Sequence, residues 1–185
     1  MTTLPDRTQS ALLVIDVQNG VVEGAYNLES VLENINLAVS KAREADVPVI
    51  WVQHSDEEMP IDSEAWQIVD ELSPLESEQK VRKVFPSSFE RTNLEEILES
   101  LNVGHVFISG MQTNNCVRHT SHAAQEKGYD VTVLADAHST TDYSWNGHTV
   151  LADVIVNEFN DNFGYMDLPG RSLRAIPTSE LSFVK

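Results

Sequence analysis

The sequence contains one cysteine, Cys116, among its 185 residues. A single thiol cannot form an internal disulfide, so a fold held together by several bridges is excluded. The N-terminus also lacks the basic segment and the long apolar stretch that are typical of a secretory signal or a membrane anchor. These absences predict a cytoplasmic protein that folds around an ordinary apolar core.

Basic residues are also scarce, because 12 Lys and Arg stand against 29 Asp and Glu. The formal net charge of -17 would repel phosphate backbones and anionic lipid surfaces. We therefore expect neither a nucleic acid nor a membrane as a partner. The G-x-G-x-x-G and Walker A patterns are missing as well, which argues against a nucleotide-binding domain. A small-molecule substrate remains the expected partner.

The chain does contain a regular alternation of short apolar runs and helical patterns. Hydrophobic residues make up 41% of it, and no repeat or Gly/Ser-rich linker divides it. This alternation is typical of βαβ units and a parallel sheet. The apolar runs predict strands at residues 11–17, 47–53, 105–110 and 130–136. The alternation in residues 80–85 predicts a short strand near the edge of the sheet, and residues 173–178 could supply the last one. We therefore predict one domain over residues 1–185 with an α/β fold, in which three layers (α/β/α) surround a mostly parallel, Rossmann-like sheet of about six strands.

The spacing of apolar residues between these runs predicts helices. Residues 28–42 show the period of an amphipathic helix. Residues 63–72 predict a short helix or a lid-like segment, and residues 115–127 predict a helix that ends at Gly128. A further helix is predicted at residues 145–159.

Three chemically reactive side chains lie at or near the ends of predicted strands. Asp16 closes the first apolar run, Lys83 lies in the third predicted strand, and Cys116 follows the fourth. Open parallel sheets place their sites at the carboxyl ends of their strands, so this fold would bring the three residues together. An acid inside the run LLVIDV is costly to bury alone, and the lysine would supply its counter-charge.

Each of these residues also has a plain structural interpretation. Asp16 could close a loop, Lys83 could be a surface lysine, and Cys116 could be an inert core thiol. The position of Cys116 argues for chemistry, because the first turn of a helix offers free N–H groups and a positive dipole that favour the thiolate. We therefore expect Cys116 to react well below about pH 8.5.

Three segments carry a resemblance to a known family. They are LLVIDVQNG, which contains Asp16, KVFPSSF, which begins at Lys83, and ISGMQTNNCVRHTSHAAQEKGYDVTVLADAHST, which contains Cys116. Together and in this order they resemble the isochorismatase-like cysteine hydrolases, a superfamily that includes nicotinamidases and N-carbamoylsarcosine amidases. The resemblance implies the layered fold of those hydrolases and a catalytic triad of Asp16, Lys83 and Cys116.

The same resemblance implies further parts of a site. It implies an oxyanion hole made of the backbone N–H groups of Gln112 and Cys116, and a cis peptide bond between Met111 and Gln112. In the implied reaction, Asp16 takes the thiol proton and Cys116 attacks the carbonyl of a small amide to form a thioester. Lys83 orients the acid. Members of this family usually form dimers or larger assemblies, which predicts a homo-oligomer.

The stretch after the second predicted strand departs from the nicotinamidase pattern. Nicotinamidases carry a metal site on a D-x-H motif there, whereas VQHSDEEMP retains His54 without the motif. We therefore expect no metal and no other cofactor. The predicted substrate pocket contains Gln18, Trp51, His54 and Phe89. The plain alternative is that the glutamine braces a loop and the aromatic rings pack in the core.

Two other functions stay open at this point. One is the hydrolysis of a vinyl ether, as in isochorismatases, which need not use a nucleophilic cysteine. The other is a noncatalytic interaction module on the same scaffold. The intact acid, lysine and cysteine favour the amide hydrolase, whose substrate the sequence does not identify.

Overall fold

Six parallel strands lie side by side in one sheet. In the computed structural model, which describes residues 2–183, they are β1 (Gln9–Ile15), β2 (Val49–His54), β3 (Gln79–Lys83), β4 (Val103–Met111), β5 (Asp130–Ser139) and β8 (Leu173–Ile176). The spatial order is β3-β2-β1-β4-β5-β8, and every neighbouring pair is parallel. The predicted sheet is therefore confirmed, with strand ends that differ from the prediction by a few residues.

Helices cover both faces of this sheet. They are α1 (Asn19–Val22), α2 (Leu28–Glu44), α3 (Leu94–Ser100), α4 (Arg118–Glu126) and α5 (Ala152–Tyr165). Successive residues of β1 alternate between the faces: Leu13 and Ile15 join the core under α3, α4 and α5, whereas Leu12 and Val14 join the core under α2. Two apolar cores thus separate the three predicted layers. Within residues 2–183, no helix combines the length and the apolar character required to cross a membrane.

The position of β1 decides where a site can form. Residues 11–15 are buried, as expected for a strand that is covered on both faces. Because β1 lies between β2 and β4, the residue that follows it emerges near the middle of the carboxyl edge of the sheet. That residue is Asp16, whose backbone N–H donates to the carbonyl of Val52 at 2.9 Å.

Gly110 allows β4 to pass close to the end of β1. It has a φ of 119°, at a register shift between β4 and β5. A Cβ atom at Gly110 would lie only 2.0 Å from the carbonyl oxygen of Ile15. No side chain fits between these backbones, so glycine is required at this point, three residues before the turn, Thr113–Val117, that carries Cys116.

Gly110→Ala is expected to lower the free energy of unfolding by about 3 kcal/mol or more, because the new methyl group meets backbone and the φ angle is unfavourable. Urea unfolding would measure the loss. Gly24→Ala is the matched control, since its φ is 73° but its Cβ would meet no atom nearer than 3.8 Å. The control should lose only about 1 kcal/mol. Equal, small losses in both variants would contradict the close approach.

The helix predicted at residues 63–72 does not form, so that prediction is wrong. The segment is irregular and folds over the end of β1, as the lid-like alternative describes. Its backbone carbonyls bind neighbouring elements: Gln67 accepts from the N–H of Asn19 at 3.0 Å, and Ala65 accepts from the N–H of Gly20 at 2.9 Å. Tertiary hydrogen bonds have therefore replaced the helical ones that the local spacing suggested.

Two further helix predictions need correction. The helix predicted at residues 145–159 begins only at Ala152, because a hairpin of β6 (Tyr143–Trp145) and β7 (His148–Val150) precedes it. Asn146 and Gly147 form its turn with φ angles of 50° and 78°, the double positive φ of a tight hairpin. The helix predicted at residues 115–127 is divided into a π-helical turn, Thr113–Val117, and α4.

Candidate active site

The carboxyl edge of the sheet brings the three reactive side chains into contact. Asp16 follows β1, Lys83 ends β3, and Cys116 lies in the π-helical turn after β4. Lys83 Nζ lies 2.6 Å from Asp16 Oδ2 and 3.2 Å from Cys116 Sγ. Asp16 and Lys83 are buried, and Cys116 is 8% exposed. An acid, an ammonium and a thiol that lie far apart in the chain therefore form one cluster.

The backbone holds the acid and the lysine of this cluster in place. Asp16 has a φ of 51°, a left-handed conformation that aspartate tolerates better than most residues. Lys83 lies opposite His54 in the parallel pairing of β2 and β3, and its carbonyl accepts from the N–H of Ser55 at 3.0 Å. Both side chains thus originate from rigid strand ends.

The turn that carries Cys116 is braced from two sides. The carbonyl of Gln112 accepts from the N–H of Val117 at 3.2 Å, which closes a π-type turn. The hydroxyl of Thr113 lies 2.9 Å from His138 Nδ1, and His138 Nε2 lies 2.9 Å from an Asn160 side-chain oxygen. The peptide bond between Met111 and Gln112 is cis.

The sequence alone gives His138 no role, yet it links the turn to β5 and α5. Burial lowers the pKa of its ring to about 4, so the ring is neutral at physiological pH. Its Nε2–H then donates to Asn160, and its Nδ1 accepts from the hydroxyl of Thr113. A histidine at the end of a strand carries no sequence signal for such a bracing role.

A cavity of about 650 Å³ opens beside the thiol. Its lining residues come from the strand ends, α1 and the segment after β2: Asp16, Gly20, Val21, His54, Asp56, Glu58, Met59, Ala65, Pro86, Gln112, Asn115 and Cys116. This volume suits a small molecule. A larger depression of about 930 Å³ lies at the opposite edge of the sheet, and its lining includes none of the three reactive residues. We therefore place the candidate site at the smaller cavity.

Of the pocket residues predicted from the sequence, His54 lines the cavity and Gln18 supports it from below. Gln18 is buried, and its Oε1 accepts from the N–H of His54 at 2.8 Å. Its Nε2 donates to the carbonyls of His54 at 2.9 Å and Trp66 at 2.8 Å. The amide therefore joins the end of β1 to the end of β2 and to the irregular segment at residues 63–72, which lies above the site.

The other two pocket predictions, Trp51 and Phe89, are wrong, because neither ring lies in the lining of this cavity. Trp51 faces the α2 layer, where its Nε1 donates to Glu78 Oε2 at 2.7 Å. Phe89 packs against Tyr129 with ring centroids 5.8 Å apart. Strand alternation turns Trp51 away from the site, and the loop after β3 carries Phe89 toward the α3 side of the core.

The ring of His54 connects Lys83 to the rim of the cavity. Its Nδ1 lies 3.4 Å from Lys83 Nζ, and its Nε2 lies 3.3 Å from Asp56 Oδ2. Because an ammonium can only donate, Nδ1 accepts, and Nε2 carries the proton that faces Asp56. Over the described part of the chain, no group of three His, Cys, Asp or Glu side chains is arranged to hold a metal ion.

The electrostatics of the cluster differ from the expectation drawn from the sequence. Burial raises the pKa of Asp16 above its usual 3.8, although the nearby Lys83 ammonium opposes this rise. Burial also raises the pKa of the Cys116 thiol to about 12, the Asp16 carboxylate adds to the effect, and Lys83 opposes it. The direction of this shift opposes the expected reactivity well below about pH 8.5. Desolvation outweighs any dipole of so short a turn, and the resting thiol keeps its proton.

Alkylation of Cys116 by iodoacetamide is expected to accelerate about tenfold per pH unit between about pH 7 and 10, with no plateau, because the thiolate fraction keeps rising below a pKa of about 12. Mass spectrometry of the folded protein would give the rates. The same protein unfolded in urea is the control, and its rate should level off above about pH 8.5. A plateau below that pH in the folded protein would show that its thiol is activated at rest.

Comparison with known proteins relates the chain to one family of hydrolases. The isochorismatase domain model matches residues 10–158. A secreted isochorismatase effector of Verticillium dahliae is 33% identical, over 84% of this chain and 85% of the effector. A ureidoacrylate amidohydrolase of Klebsiella pneumoniae is 29% identical, over 74% of this chain and 79% of that enzyme. A solved isochorismatase structure from Pseudomonas putida superposes with a TM-score of 0.84 at 25% identity, over 94% of this chain and 90% of that one.

Proposed function

The chain belongs to the isochorismatase family of hydrolases, and we propose that it cleaves the C–N bond of a small-molecule amide through a thioester on Cys116. The observation that carries this proposal is the position of Lys83 Nζ, in contact with both Asp16 and Cys116 at the wall of a cavity. The similarity to a ureidoacrylate amidohydrolase supports amide chemistry in particular.

The first half of the proposed reaction forms the thioester. Asp16 takes the thiol proton as Cys116 Sγ attacks the amide carbonyl, and Lys83 stabilises the negative charge that this transfer brings to the sulfur. The backbone N–H groups of Gln112 and Cys116 donate to the oxyanion. Asp16 then passes its proton to the departing nitrogen, and ammonia or an amine leaves.

The second half releases the product. Asp16 takes a proton from water, the resulting hydroxide attacks the thioester, and the carboxylic acid leaves as the Cys116 sulfur regains a proton from Asp16. The raised pKa of Asp16 suits these transfers, because a more basic carboxylate removes a thiol or water proton more readily. Lys83 keeps the acid oriented throughout.

A panel of small amides and carbamoyl compounds tests the proposal, with released ammonia as the readout and Cys116→Ala as the blank. We expect ammonia release from at least one compound by the wild-type protein and none by the blank. Intact-mass spectrometry should detect an acyl adduct on Cys116 during turnover. Isochorismate hydrolysis that persists in Cys116→Ala would instead assign vinyl ether chemistry, and the lack of any turnover would favour a noncatalytic module.

A further inference from the structure

The rim of the active-site cavity carries two carboxylates that take no part in the proposed reaction. Asp56 and Glu58 both line the cavity and are exposed to solvent. Asp56 Oδ1 accepts from the N–H groups of Met59 at 2.7 Å and Glu58 at 3.0 Å. The first of these bonds is the main reason that the pKa of Asp56 is lowered, so this group is ionised at neutral pH. In residues 2–183, the Glu58 carboxylate has no hydrogen bond or ion pair of its own.

No lysine or arginine of the described chain lines this cavity. Lys83 lies behind its wall, with a fully buried side chain that is already paired with Asp16. Arg82 instead stacks over the Trp66 ring, 5.4 Å from its centroid. No lysine or arginine of the described lining is therefore free to neutralise an anionic group on a substrate, and the His54 ring already faces Asp56.

We propose that this cavity selects small amides that are uncharged or positively charged and disfavours those that carry a carboxylate. As a statement about substrates, this rests on the amide hydrolysis proposed above. A carboxylate here would face Asp56 and Glu58, two like charges on the lining, whereas the charge of Asp16 is offset by Lys83. The net charge of -17 acts in the same direction at longer range.

Alkylation of Cys116 tests the selectivity without any known substrate. Iodoacetamide and iodoacetate form the same C–S bond and release the same iodide, but only iodoacetate carries a negative charge. Because both reagents react with the same thiolate, the pKa of Cys116 cancels in the ratio of their rates. The normalised ratio is the iodoacetamide rate over the iodoacetate rate for the protein, divided by the same ratio for 2-mercaptoethanol. It is expected to be about tenfold or more at low ionic strength, and to fall as salt is added.

Variants of two neighbouring acids identify the source of the selectivity. Glu58→Gln removes one carboxylate from the lining and should lower the normalised ratio by about threefold or more. Glu57→Gln is the matched control, because Glu57 is exposed but does not line the cavity. The control should leave the ratio unchanged. An equal fall in both variants would show that net charge alone produces the effect, and would overturn a role for the cavity rim.

Other outcomes separate this proposal from the proposed reaction. Equal normalised rates, faster reaction with iodoacetate, or a Cys116 that neither reagent reaches in the folded protein would overturn the selectivity. A second arm compares ammonia release from butyramide, 4-aminobutyramide and succinamate, which differ mainly in charge. Faster hydrolysis of succinamate would overturn the selectivity but leave amide hydrolysis standing. Charge-selective alkylation without hydrolysis of any amide would overturn amide hydrolysis but leave the charge preference of the cavity standing.

Discussion

Replacement of Cys116 by alanine is expected to lower kcat for amide hydrolysis by at least about 10⁴-fold, because the described lining of the cavity holds no other thiol and no hydroxyl side chain that could replace it. Asp16 could still activate water in the variant, but water lacks the fixed position of a sulfur that lies 3.2 Å from Lys83 Nζ. Steady-state ammonia release and single-turnover mass spectrometry would measure the loss of turnover and of the acyl adduct.

The fold should survive this substitution. Cys116 carries no formal charge at rest and alanine removes one sulfur atom, so the free energy of unfolding should change by no more than about 1–2 kcal/mol. Urea unfolding provides this control. A variant that stays folded and still turns over amides at the wild-type rate would place the nucleophile elsewhere and end the proposed mechanism. Cys116→Ser adds a second control, since its hydroxyl occupies the same position but is a much weaker nucleophile.

Replacement of Lys83 by methionine is expected to cost about 3–5 kcal/mol of unfolding free energy at pH 7, because it leaves the Asp16 carboxylate buried without its counter-charge. The pKa of Asp16 should then rise further, since Lys83 opposes the rise that burial causes. The folded variant would hold a proton that the unfolded chain releases near pH 4, so its stability should fall as the pH increases from about 4 toward 8. Urea unfolding at several pH values would follow this loss.

Two variants make the Lys83 experiment decisive. Lys80→Met changes an exposed lysine of the same strand, β3, and should cost less than about 0.5 kcal/mol. Adding Asp16→Asn to Lys83→Met removes the unpaired carboxylate, so the double variant should recover much of the lost stability. If the double variant were as unstable as the sum of both single variants, the Asp16–Lys83 pair would not be the source of the effect.

The sheet was readable from the sequence because its central strands are short apolar runs, whereas the outer strand β3 shows only alternation around Val81. Because β1 is buried on both faces, the residues around Val14 are continuously apolar. Such a short, continuous run does not show the spacing of an amphipathic helix. The hairpin before α5 was overlooked although Asn146 and Gly147 are a strong turn signal, because the apolar residues that follow at helical spacing dominated the interpretation. Helical spacing also failed at residues 63–72, where bonds to α1 decide the backbone path.

Part of the candidate site could be predicted from the sequence and part of it could not. Asp16, Lys83 and Cys116 could be placed together because the strands of a parallel sheet run in one direction, which brings their carboxyl ends to one edge. The wall of the cavity could not be predicted, because Asp56 and Glu58 reach it from an irregular segment whose course depends on distant partners. The high thiol pKa was also hidden, since it depends on the burial of Cys116 rather than on its place in the chain.

The hydrogen bonds of Gln18, two residues after Asp16, bear on which positions around the cavity could be substituted. Gln18 holds the segment above the cavity through carbonyl and N–H groups of His54 and Trp66, not through their side chains. Asn19 does the same with the carbonyl of Glu64. These hydrogen bonds use backbone atoms of Glu64 and Trp66, so they do not depend on the identity of those two side chains. A protein engineer who wished to retarget this hydrolase would begin there, with the reaction machinery left untouched.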